Sequence, residues 1–211
     1  MAYLDANVPV MITTEEIALL SDHTFFMAKA KISAKIRSAL DELLPNLQHE
    51  LRKKQLVTPN DFSLDAFQFV KGEHLEECPY QYLDFPRYYT KNEKLAFRSL
   101  FWWGHHIVFS LLIEGGHLRQ YKENLINRYA AIADQQICLG LSPSLWEWKQ
   151  GAGYTLELTR TRKSEVAAVL AHRPFFKLSI FVPWGHPSVT NNMIVDHGRQ
   201  ALHAMLPVIT R

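Results

Sequence analysis

Cysteine is almost absent. The 211-residue chain has two, Cys78 and Cys138, far apart and without a Cys-x-x-Cys spacing. That excludes a disulfide-stapled scaffold and a cysteine-based zinc module. A chain long enough to bury its own core needs no covalent staple, so reduced thiols and a cytoplasmic protein are the expectation. No run of eighteen apolar residues occurs either. Arg98, Glu114 and a Gly-His turn break the longest candidate, so no membrane-spanning segment is predicted. The opening "MAYLDANVPVMITTEE" carries Asp5 and no basic stretch, which makes it a poor secretory signal.

Charge of one sign is also lacking. Lys and Arg number 23 against 21 Asp and Glu, a net charge of +2. Nucleic-acid binding needs a contiguous basic stripe, and Lys29, Lys31, Lys35 and Arg37 scatter around their helix, so that partner class is not predicted. Nucleophile-elbow, P-loop, dinucleotide-binding and zincin motifs are all missing. There are ten histidines but no His pair at helical ligand spacing, so no metal site is expected. Cys78, before Pro79 and near His74, is the one thiol worth considering as a nucleophile.

What is present reads as a single α+β domain over 1–211. Apolar residues make up 47% and charged residues 21%, an ordinary globular balance. Apolar positions from Phe25 to Leu47 recur at three and four, marking an N-terminal helical region over 24–54 that Pro45 kinks or divides. "CPYQYLDFPRYYT" lies between prolines and reads as an extended aromatic loop. A β-hairpin follows over 94–115, then a helix over 117–138. A strand-helix-strand unit spans 154–183, and a C-terminal helix spans 188–206, burying Ile194, Gly198, Ala201 and Met205.

A two-residue turn at Gly104–His105 would pair Trp103 with His106, Phe101 with Val108 and Arg98 with Leu111. One strand face then carries Leu100, Phe109, Leu111, Ile113, Phe176, Leu178, Ile180 and Val182. Ser99, Ser110, Glu157, Lys177 and Ser179 lie on the other. The pattern predicts a largely antiparallel or mixed sheet with helices packed mainly on one face.

Two features stand out against this background. Trp-Gly-His occurs twice, at Trp103-Gly104-His105 and at Trp184-Gly185-His186, each time after an apolar strand. If the two strands run the same way, both turns lie on one sheet edge. Trp103, His105, His106, Trp184 and His186 would then form an aromatic, polar-tipped rim able to hold a planar ligand or a protein partner. Arg98 falls inside an apolar strand, where a guanidinium needs an acid. Asp84, Glu114 and Glu157 are the available partners, and a ligand anion is the functional alternative. The leading expectation is a non-enzymatic small-molecule or protein-binding module using this rim. The alternative is a hydrolase or transferase with histidine acid–base chemistry, in which Arg98 or the Gly115–Gly116 turn binds an anion.

Overall fold

A computed structural model describes residues 11–211, so Asp5 lies outside the described part. These residues divide between Ser38 and Ala39 into two units. The first, residues 11–38, contains α1 (Thr14–Leu20) and the beginning of α2 (His23–Arg52). Thr13 starts α1 with a reciprocal capping box: its hydroxyl accepts from the Glu16 amide, and the Glu16 carboxylate accepts from the Thr13 amide at 2.7 Å. Pro45 does not divide α2, which runs unbroken through it for 30 residues.

The second unit is built on seven strands. These are β1 (Gln68–Leu75), β2 (Cys78–Tyr89), β3 (Lys94–Trp102), β4 (His106–Glu114), β5 (Cys138–Gly140), β6 (Thr155–Glu157) and β7 (Phe175–Pro183). They form one sheet in the order β1-β2-β3-β4-β7-β5-β6, and every pair is antiparallel. With the helices beside it, the fold is α+β. The tyrosine-rich segment expected as a loop is the long strand β2. Tyr and Phe favour strands, and Pro86 falls at a register shift between Asp84 and Arg87, where the ladder needs no N–H from it.

The β3–β4 hairpin is out of the expected register by one residue. Phe101 faces Ile107, Ser99 faces Phe109 and Arg98 faces Ser110. The loop is therefore Trp103-Gly104-His105, three residues rather than two. The His105 amide donates to the Trp102 carbonyl at 3.3 Å, and Gly104 takes φ +73° at the second central position of the turn. A one-residue slip exchanges faces along the whole of β3. Leu100, Arg98 and Trp102 thus leave the face they were assigned to, and Ser99 moves onto it.

That face carries Phe97, Phe109, Leu111, Phe176 and Leu178, all fully buried. It packs under α7 (Ile194–Ile209) and the second-unit part of α2. Gly198 permits the contact, since a Cβ there would lie 2.7 Å from Phe109 and 3.1 Å from Leu43. The helix expected over 117–138 is α3 (Leu118–Asn127) followed by the single turn α4 (Tyr129–Ile132). Asp134 and Gln136 then adopt φ +63° and +58°, which no helix accommodates, and turn the chain into β5. The strand-helix-strand unit consists of β6, a 3₁₀ turn, α5 (Lys163–Ala171) and β7. The opposite sheet face carries its own cluster of Ala96, Leu100, Trp102, Val108 and Leu112. Leu145 and Trp148 of the β5–β6 loop cover it.

Candidate functional site

The loop-covered face has a polar line running across it. Successive cross-strand partners are Gln68, Asp84, Arg98, Ser110, Ser179, Cys138 and Glu157, one from each of the seven strands. Antiparallel pairing puts these side chains on one face. At its centre Arg98 donates from Nε and Nη2 to the two carboxylate oxygens of Asp84, both at 2.8 Å. Tyr89 adds its hydroxyl to Asp84 Oδ2 at 2.9 Å. The guanidinium lies 3.7 Å from the Tyr82 ring centre and 5.2 Å from both Trp146 and Trp148. Burial acts to lower the Arg98 pKa, but the bonds to Asp84 and its charge overcome that and hold the group above its ordinary value. The same burial, with Asp84 adding, raises the Tyr89 hydroxyl. Arg98 therefore meets the first of its three candidate acids. Glu114 pairs instead with Lys94.

Farther along, the Ser110 and Ser179 hydroxyls share a hydrogen bond of 2.7 Å. Cys138 is a free thiol pushed up to about 11 by burial, with Glu157 adding to it, so it is protonated at neutral pH. Next to the line stands Lys177, which the sequence places with Arg160 and Arg173 in a solvated basic patch but which the structure buries. It donates to the Leu145 carbonyl at 3.0 Å and to the Glu147 carbonyl, and lies 4.1 Å from the Trp148 ring centre. Burial lowers its pKa to about 7; Arg98 adds to the shift, while Glu147 opposes it. Arg173 holds the other end of the same loop, donating to the Gly140, Leu141 and Ser142 carbonyls. Two cations from one strand and its approach thus hold the loop bearing Trp146 and Trp148 over the sheet.

The two Trp-Gly-His turns meet at one end of this sheet. Strands β3 and β7 both run antiparallel to β4, hence in the same direction as each other. Trp184 Nε1 donates to the Trp102 carbonyl at 3.1 Å, and its ring lies 6.1 Å from that of Phe101. His105 is exposed and stacks flat on Trp102, with ring centres 3.6 Å apart. His106 meets Trp102 and Phe181 edge-on and donates from Nε2 to the Trp148 carbonyl at 3.0 Å. Burial lowers its pKa; that bond works against the shift and His105 adds to it. Trp103 keeps its buried Nε1 without a hydrogen-bond partner among the described residues.

His186 turns away from the rest. Its Nδ1 accepts from the Ser188 amide at 3.1 Å, capping the short helix α6 (Pro187–Thr190), and its ring sits 5.4 Å from His197. Arg98 is not part of the rim; it sits four residues back along β3, within the polar line. None of the hydrogen bonds described for His105, His106 or His186 reaches a carboxylate.

The other sequence candidates have partners of their own. At the Gly115–Gly116 turn the Gly116 amide donates to Glu93 Oε1 at 2.7 Å, so the chain supplies its own anion there. Cys78 lies beneath the Gly104 turn, its sulfur 3.4 Å from where a Cβ at 104 would stand, while His74 faces Glu77 at 3.6 Å. Among the described residues no group of three His, Cys, Asp or Glu side chains is placed to hold a metal ion, and no helix is long and apolar enough to cross a membrane. The strand that carries Tyr82 and Asp84 could have been found from the sequence, because the period-two alternation of Tyr80, Tyr82 and Asp84 is a strand signal inside "YQYLDF". Trp146, Trp148 and Lys177 leave no comparable local trace. No family model matches the chain, and no curated protein or solved structure is found similar to it.

Proposed function

We propose that this chain is a non-enzymatic binding module whose recognition surface is the rim formed by the two Trp-Gly-His turns. The observation that carries the reading is the hydrogen bond from the Trp184 indole to the Trp102 carbonyl, which ties one turn to the other. The turns present half-buried Trp103, Trp184 and His106 beside exposed His105, Gly104 and Gly185. Aromatic bodies with polar tips, held on strand ends, give contact area at small entropic cost. The ligand is a planar small molecule or a protein segment lying across the indoles. The hydrolase or transferase alternative has less support. Its histidines bond to a carbonyl and a serine, and its two anion-binding elements, Arg98 and the Gly-Gly turn, already hold Asp84 and Glu93.

A thermal-shift and native mass screen on the wild type and on Trp103→Ala and His105→Ala tests this. Binders are expected to lose most of their shift in both variants. A binder that shifts all three proteins equally places the site elsewhere and overturns the reading.

A further inference from the structure

On the helical side of the domain, away from the rim, two neighbouring cavities of about 530 and 480 Å³ share Arg128 and Arg211 as a common wall. The first is also lined by Lys53, Lys54 and His203. No Asp or Glu among the described residues lines either cavity. In a chain whose acids and bases nearly balance, the side chains of Lys53, Lys54 and Arg128 around these neighbouring cavities form a concentrated positive field. Glu50, the acid that bonds the lining residue His203 at 2.8 Å, is also faced by Arg199 at 3.8 Å.

The backbone here would ordinarily repel an anion, because α7 ends at this wall and its last carbonyls carry the negative end of the helix dipole. They are neutralised from within. Arg128 Nη1 donates to the Pro207 and Thr210 carbonyls at 2.9 and 3.0 Å, and Asn124 Nδ2 donates to those of Val208 and Thr210, both at 3.0 Å. The second cavity adds His117, whose Nδ1 is buried with no partner among the described residues, and the neutral amide of Gln120.

From this geometry we infer a second binding site, independent of the rim, for a small polyanion of the polyphosphate class, its charges spread across the two cavities and its neutral part beside His117 and Gln120. Two neighbouring cavities with cations distributed along them fit a ligand with several separated negative charges better than a single carboxylate. Charge-assisted hydrogen bonds from Lys and Arg supply the affinity.

Calorimetric titration with pyrophosphate at physiological ionic strength tests the site. Wild-type protein is expected to bind one equivalent saturably. Lys53→Gln/Lys54→Gln, which changes only exposed residues at the end of α2, is expected to weaken binding by about tenfold or more with an unchanged melting temperature. Gln120→Glu, which places a carboxylate on the second cavity, is expected to weaken it as well. The inference is overturned if wild type gives no saturable heat at millimolar pyrophosphate, or if both variants bind as wild type does. Tighter binding of a single-stranded RNA oligonucleotide that displaces pyrophosphate would also overturn it, by making the groove a nucleic-acid surface. None of these outcomes depends on the rim.

Discussion

Arg98 is a charge 7% exposed on a sheet face, and its surroundings show what such a charge requires. Both donors that point at Asp84 are used, the π face is covered by Tyr82, and Tyr89 satisfies a further lone pair of the acid. A buried pair of this kind contributes little net stability over an apolar replacement, yet removing one member strands the other. Asp84→Ala is therefore expected to cost about 3–5 kcal/mol in urea unfolding, while Asp84→Leu combined with Arg98→Met recovers much of that loss. A cost below about 1 kcal/mol for the single change would mean that Arg98 is solvated after all. The sequence displayed the problem, a guanidinium between apolar neighbours, and restricted the partner to three acids. It could not choose among them, because the choice depends on which strand lies beside β3 and on where β2 shifts register.

At the scale of elements, the two Trp-Gly-His turns share three residues and differ in backbone. Gly104 sits at φ +73°, in the left-handed region, with only Cys78 near its missing Cβ. Gly185 shows no such φ and nothing within 4 Å. Gly104→Ala should lower stability by about 1 kcal/mol through backbone strain, whereas Gly185→Ala should stay within about 0.5 kcal/mol of wild type. Thermal melts of the two variants decide this, and equal losses would show that the turns share one conformation. The hairpin, β6, β7 and the final helix were legible from periodicity, whereas β2 and β5 were not. The loop length was not, because Trp102 and Trp103 are both apolar and both faces of β3 are buried; alternation then carries no register information. The slip cost the sequence reading the correct face for Arg98 and for Leu100.

At the scale of the whole second unit, the sheet is covered on one face by helices and on the other by the loop that Lys177 and Arg173 hold. Lys177 makes this arrangement sensitive to pH. Its folded pKa of about 7 lies below the ordinary 10.5, so the folded state disfavours the proton. The destabilising contribution is complete below about pH 7 and disappears as pH rises to about 10.5. Stability should accordingly climb across that window, by up to about 1.4 kcal/mol per pH unit from this group alone. Lys177→Met should flatten the climb, measured as urea midpoints at several pH values between neutral and mildly alkaline. An unchanged slope in the variant would show that another group is responsible.

By itself the sequence determined the α+β class, most of the strands and helices and the oddness of Arg98, because all of these follow from local periodicity and from the cost of burying a charge. Only the tertiary structure decided that Asp84 answers Arg98, that seven strands bring seven mostly polar residues into one line, that Lys177 and Trp148 meet, and that the two Trp-Gly-His turns share a rim. The Asp84–Arg98 pair spans only 14 residues but depends on the β2–β3 register, and the others depend on segments tens of residues apart, with β7 inserted between β4 and β5. Their energies come from contacts that no local window of the chain contains.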